Sequence, residues 1–229
     1  MALHERFKLL AMASGVDIPP KAVLTLNVAP DVTVLGISGA LEPSVYSAIA
    51  SAAERIPAGK HVFMYINSPG GTVLGLSRAV TAVKSLAQRS ASLTTVAGDV
   101  MASAAYWIGS TADRVIASPL SAVGSIGVIN MAASMKRMLS EAGIDTAVVR
   151  SGPLKARPTM LDELDEGAVA SLKRVVDSFA QRFFAHVEKE RMGIDMEKIK
   201  DGAIFVGEEA VAAGLVDEIA EKNRSFRRF

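Results

Sequence analysis

The stretch HVFMYINSPGGTVLGLSRAVTAVKSLAQ, residues 61–88, decides the fold. Its first part, His61–Ile66, is rich in β-branched and aromatic residues and predicts a strand. Asn67-Ser68-Pro69-Gly70-Gly71 is a sharp turn. From Thr72 to Gln88 the apolar residues Val73, Leu76, Val80, Val83 and Leu86 recur at intervals of three and four, which predicts a helix. Strand, tight turn and helix in immediate succession make one half of a βαβ unit.

Outward from there the same alternation continues. Upstream, Ala22–Asn27 and Val32–Ile37 are β-rich runs separated by the turn Ala29-Pro30-Asp31. Pro43 then opens a helix over Ser44–Arg55 that stops at Pro57 and Gly59. Downstream come a strand at Leu93–Ala97, a turn at Gly98-Asp99 and a short apolar helix over Ala102–Gly109. Strands at Arg114–Ala117 and Ser125–Asn130, a helix over Met131–Ala142 and a strand at Thr146–Arg150 follow. Alternation of this kind predicts an α/β fold of ββα and βαβ units on a mainly parallel sheet. The last third differs: Val169, Leu172, Val175, Val176, Phe179, Phe183 and Val187 form one stripe of a long amphipathic helix over Leu164–Arg191, and Asp201–Ala220 closes the fold. Residues 1–20 read as an arm ending at Pro19-Pro20, residues 21–220 as one domain, and residues 221–229 as a basic tail.

Composition narrows the function. Half of the 229 residues are apolar and 21% are charged, the balance of a packed globular protein. Lys and Arg number 25 against 24 Asp and Glu, so no strong field draws the chain to nucleic acid or anionic lipid. With no cysteine, disulfides, thiolate metal sites and cysteine nucleophiles are excluded. Neither a signal-peptide core nor a run of about 18 apolar residues is present, so the expectation is a soluble, cytoplasmic protein without a membrane anchor. No His/Asp/Glu cluster has metal-ligand spacing and the phosphate-loop pattern is absent; no metal or cofactor is expected.

In a parallel sheet the chemistry belongs at the carboxyl ends of the strands. Two loops there are candidates. Gly70 and Gly71 lie between a strand and a helix, where paired glycines allow close backbone approach and free amides could form an oxyanion hole; the same residues also suit an ordinary turn. Ser103, in Met101-Ala102-Ser103-Ala104-Ala105, joins strand to helix among small neighbours, as a nucleophile elbow does, and equally as an N-cap serine would. A nucleophilic serine needs a base. The three histidines, His4, His61 and His186, lie in the arm, at a strand start and on the long helix, and Ser125–Asn130 (SIGVIN) contains none. A lysine whose pKa is lowered by burial can take that role. Lys155, in the loop Ser151-Gly152-Pro153-Leu154-Lys155-Ala156-Arg157-Pro158, is the distinctive one.

From about Val32 to Ala220 the chain resembles the signal peptide peptidase A family, including the head-maturation peptidases of tailed phages. The ordered motifs are Ile66–Gly71 (INSPGG), Met101–Tyr106 (MASAAY), Ala112–Ala117 (ADRVIA), Gly124–Val128 (GSIGV), the Lys155 loop and Gly214–Asp217 (GLVD). The resemblance implies the ClpP/crotonase fold and a serine peptidase with a Ser–Lys dyad. Ser103 would be nucleophile and Lys155 general base. Ser125, twenty-two positions beyond Ser103, would orient the lysine. Backbone N–H groups of Gly71 and Ala104 would form the oxyanion hole. It further implies cleavage of extended polypeptide after small or apolar residues, with Gly70, Val73, Leu74 and Trp107 at the substrate groove, although the last three also suit core packing. A homo-oligomeric ring with sites near subunit interfaces would complete the dyad. The missing amino-terminal anchor favours a soluble phage or prophage enzyme that trims capsid or scaffold proteins. Two other readings stay open: a crotonase-like enzyme acting on acyl-CoA, which would want a Glu or Asp where Ser103 stands, and a non-catalytic oligomeric scaffold of the same fold.

Overall fold

Two central strands organise the sheet, β3 (His61–Ser68) and β4 (Ser92–Ala102). Val62, Phe63, Met64 and Ile66 of β3 are all buried, the signature of a parallel strand covered on both faces. Each such side chain contributes about 1.5–3 kcal/mol relative to exposure. The computed structural model describes residues 23–220, so the expected arm at 1–20 and basic tail at 221–229 lie outside the described residues. Those that are described fall into two compact units, one running to Ile126 and resuming at Phe184, the other Gly127–Phe183.

In the first unit, β1 (Val23–Ala29) and β2 (Val32–Ser38) form an antiparallel hairpin about Pro30-Asp31. Helix α1 (Pro43–Arg55) starts at the proline, whose fixed φ suits a first helical turn. After β3 comes α2 (Leu76–Arg89), and after β4 the short α3 (Ala104–Gly109), β5 (Arg114–Ala117) and β6 (Ala122–Gly124). The closing segment carries β7 (Ile204–Val206), α6 (Glu208–Ala212) and β8 (Glu218–Ile219). The sheet order is β1-β2-β3-β4-β5-β8, with β6 paired to β4 and β7 to β6. Among the described residues only β1–β2 and β6–β7 are antiparallel. This is the α/β, mainly parallel arrangement expected of the ClpP/crotonase fold.

The second unit contains α4 (Lys136–Glu141) and the start of α5 (Glu166–Glu190), which passes into the first unit after Phe183. Polar contacts centred on Asp162 tie its loops. Asp162 pairs with Arg150 and accepts from Thr159 N–H (2.6 Å) and Oγ1 (3.0 Å). The Thr159 N–H bond, with Arg150 beside it, holds the Asp162 carboxyl below its ordinary pKa.

Several element predictions need correction. Gly98-Asp99 is not a turn: β4 continues to Ala102, and its pairing with β3 shifts between Ile66–Ala97 and Ser68–Met101. Asn67 Oδ1 accepts the Val100 N–H there (3.1 Å), so the Gly-Asp pair is a bulge within the strand. Helix α2 begins at Leu76, not Thr72, because Thr72 N–H is drawn to the Leu41 carbonyl (3.0 Å) instead. The strand predicted at Ser125–Asn130 is Ala122–Gly124, the residues that face Val100–Ala102. Thr146–Arg150 is no strand and the helix at Met131–Ala142 shrinks to α4; with no neighbouring strand in its unit to pair with, β-propensity has nothing to act on, and Val149 is 95% exposed. The stripe on α5 is uneven: Phe183 and Val187 are buried, while Val169 and Val175 are exposed.

Candidate active site

Two parallel strand ends create the centre of the site. Ala102 of β4 lies opposite Gly124 of β6, and the Ser103 N–H donates to the Gly124 carbonyl (2.9 Å). Neighbouring strands are about 4.8 Å apart, so Ser103 and Ser125 leave the sheet side by side. Both turn sharply, Ser103 at φ 54 and ψ −126 and Ser125 at φ 51. Ala156, next to Lys155, is the third non-glycine residue with positive φ among the described residues. Backbone held in such regions costs about 1–3 kcal/mol and is retained where the surroundings impose it. For Ser125 the brace comes from the closing segment, where the Ala203 carbonyl accepts its N–H (2.8 Å). Ser103 is half-buried, between buried Ala102 and Ala104.

The glycine turn packs directly on this elbow. Gly70 has φ 95, and a Cβ on it would lie 2.7 Å from the Ala102 carbonyl oxygen, 2.8 Å from Ser103 Cβ and 2.9 Å from Ala104 N. On its other side the turn is stitched to the segment after β2. Leu41 N–H donates to the Gly70 carbonyl (2.8 Å), Leu41 and Gly71 form a parallel bridge, and a Cβ on Gly71 would coincide with the Leu41 carbonyl. The fold thus brings together Gly70, Gly71, Ser103, Ala104 and Ser125. Leu41 gave no signal in the sequence, because nothing local links it to a turn thirty residues later.

Around this centre, Val73 is half-buried and Leu74 is 68% exposed, both on the turn into α2. Trp107 is half-buried on α3, its ring 5.8 Å from that of His186. His186 is buried, shares a hydrogen bond with Ser110 Oγ (3.2 Å), and is pushed down to about 4 by burial and by the charge of Lys84. It packs beneath α3 as a neutral core group. Tyr106 anchors α3 through its hydroxyl, which donates to the Leu215 carbonyl (2.9 Å). Arg191 in turn grips Asp217 (2.6 and 3.0 Å), whose carboxylate accepts the Val115 N–H (2.6 Å).

Lys155 belongs to the second unit, in a turn where its N–H donates to the Gly152 carbonyl (3.0 Å). Its side chain is exposed. Arg150, fixed by Asp162, donates from Nε to the Lys155 carbonyl (2.8 Å) and so holds the loop. Among the described residues no group of three or more His, Cys, Asp or Glu could hold a metal ion, and no helix is long and apolar enough to cross a membrane.

Known proteins are similar along most of this chain. Peptidase family S49 matches residues 85–228. "Probable protease SohB" of Haemophilus influenzae is 30% identical over 159 residues, 69% of this chain and 45% of that protein. Protease 4 of Salmonella typhi is 30% identical over 168 residues, 72% of this chain and 27% of that protein. An Enterococcus faecium protein named as a signal peptide peptidase, SppA, is 30% identical over 163 residues, 70% of this chain and 47% of that protein. The aligned stretch spans less than half the length of each of these three. With the serine elbow, the glycine turn and the matched residues in agreement, the chain belongs to peptidase family S49, the signal peptide peptidase A family.

Proposed function

We propose that the chain is a serine endopeptidase working through a Ser103–Lys155 dyad. The observation that carries this reading is the packing of Gly70 on the strained Ser103 elbow, an arrangement that suits backbone amides serving a nucleophilic serine. Lys155, as the free amine, takes the Ser103 proton while Oγ attacks the scissile carbonyl carbon. The oxyanion that forms is met by the N–H groups of Gly71 and Ala104, each worth about 2.7–4 kcal/mol in the transition state. The ammonium then protonates the leaving amine, and a water activated by the same lysine hydrolyses the acyl-enzyme. Ser125, beside Ser103 at the next strand end, orients the lysine through its hydroxyl.

Lys155 is exposed in the single chain, whereas a base near neutral pH requires its charged form to be desolvated. A ring of subunits would supply that cover. Exposed apolar residues of the second unit, Ile129, Met131, Val149 and Leu154, support such an assembly. The half-buried Val73 and exposed Leu74 beside the glycine turn suit an extended substrate with small or apolar residues at the cleavage point.

The test is hydrolysis of an unfolded protein across pH 6–10 by the wild type, Ser103→Ala and Lys155→Ala. Loss of about 10³-fold or more in both variants, with assembly unchanged and a basic limb in the wild-type profile, is the expected outcome. Activity surviving Lys155→Ala would overturn the dyad. An assembled wild type that neither hydrolyses protein nor labels at Ser103 would favour the scaffold reading.

A further inference from the structure

The Gly71 amide needs one orientation to serve as an oxyanion donor, and a Gly-Gly peptide plane is among the easiest in a protein to rotate. The orientation is held from outside the turn. A trans peptide is planar, so the carbonyl of Gly70 and the N–H of Gly71 point in opposite directions from one rigid unit. Leu41 N–H holds the Gly70 carbonyl (2.8 Å), and the Leu41 carbonyl accepts the Thr72 N–H (3.0 Å). Leu41 follows β2, while Ser103 follows β4, and β3 lies between them. Pinning the carbonyl on the β2 side therefore turns the Gly71 N–H to the β4 side, where Ser103 and Ala104 stand.

One buried side chain secures the next peptide unit. Tyr46 of α1 is fully buried, and its hydroxyl donates to the Thr72 carbonyl (2.6 Å). Its ring also lies against Gly75, where a Cβ would come within 3.2 Å of Cδ2. Burial pushes the phenol up to about 12, so it stays a donor throughout the working range. Carbonyls of Gly70 and Thr72 are thus both held from the α1 side, one by a backbone N–H and one by a phenol.

We propose that Leu41 and Tyr46 form a lock on the 70–72 backbone that aims the Gly71 N–H at the substrate oxyanion, with Tyr46 as its positioning side chain. The proposal rests on the reading of Ser103 as nucleophile and Gly71 as oxyanion donor. Tyr46 and Leu41 are both fully buried and act through the turn backbone. Loosening the lock therefore lowers transition-state binding and leaves ground-state binding alone.

The experiment compares wild type and Tyr46→Phe in the full chain, for peptide hydrolysis and for inhibition by a peptide aldehyde whose hemiacetal oxygen takes the oxyanion position. The expected result is about a tenfold fall in kcat with KM unchanged and an equal loss of aldehyde affinity. The uncleaved peptide should bind Ser103→Ala and the double variant Ser103→Ala, Tyr46→Phe equally well. Replacing the Leu41 N–H by an ester oxygen should reproduce the effect without touching Tyr46. Unchanged kcat and aldehyde affinity in both variants, or equal weakening of peptide and aldehyde, overturns the lock. A wild type that neither hydrolyses peptide nor labels at Ser103 overturns the underlying serine-peptidase reading instead, which separates the two failures.

Discussion

Gly70→Ala should abolish most activity at a stability cost close to that of Gly59→Ala, its matched control. Both glycines have positive φ, 95 at Gly70 and 76 at Gly59, so an alanine at either pays a similar backbone penalty of about 1–2 kcal/mol. Their surroundings differ. A Cβ at Gly59 meets nothing within 4 Å, whereas at Gly70 it would press on Ser103 Cβ (2.8 Å) and Ala104 N (2.9 Å). Ordinary contact with carbon needs about 3.5 Å or more, so the elbow or the turn must move by roughly 0.7 Å. Displacements of about 1 Å in a reacting group can cost about 10²-fold. Gly70→Ala should therefore lose about 10²-fold in kcat and about 1–3 kcal/mol in stability, and Gly59→Ala only about 1–2 kcal/mol, with kcat unchanged. Urea denaturation and peptide hydrolysis on the same preparations give both numbers. Wild-type kcat in Gly70→Ala, or an equal loss in Gly59→Ala, would refute the argument from packing.

Three further outcomes follow from the Arg191–Asp217 pair and from His186. Asp217→Ala leaves Arg191, only 8% exposed, without its carboxylate and should destabilise the protein by about 3 kcal/mol in urea denaturation; a loss under about 1 kcal/mol would show the pair to be dispensable. Burial opposes the charged form of Asp217, but the bonds from Arg191 and the Val115 N–H outweigh it and hold its pKa below the ordinary value of about 3.9. Its contribution is therefore complete above about pH 4 to 5 and fades as pH falls through the lower folded value, so the gap between wild type and Asp217→Asn should close in acid. For His186, at about 4 when folded against about 6.5 unfolded, the unfolded chain binds the extra proton between those values. Stability should fall by up to about 3 kcal/mol as pH drops from 7 to 4, and the His186 ring should titrate near 4 by NMR; a midpoint near 6.5 would contradict its burial.

Periodicity and turn chemistry located β1 to β3, the start of β4, β5, α1 and the long helix to within a few residues, because each is specified by its own side chains. His61–Ile66 has the residues of a buried strand and needs no distant information to be read as one. The candidate nucleophile and the glycine turn were likewise legible, since small residues after a strand limit what the backbone there can do.

What failed was whatever depends on a partner. Val128, Ile129 and Val149 have β-branched side chains, yet they lie in no strand, because a strand exists only where another strand receives its hydrogen bonds. Gly98-Asp99 has the composition of a turn, but pairing with β6 and the Asn67 side chain carry β4 through it. Local side-chain patterns alone gave the strand and helix order from β1 to β5 and marked Ser103, Gly70 and Gly71 as candidates. Only the tertiary structure decided that Ser125 stands beside Ser103 through the pairing of Ala102 with Gly124, and that Leu41 and Tyr46 grip the glycine turn. Side-chain chemistry is local, whereas strand register and the direction of a peptide N–H are settled by whichever distant backbone completes the hydrogen bond.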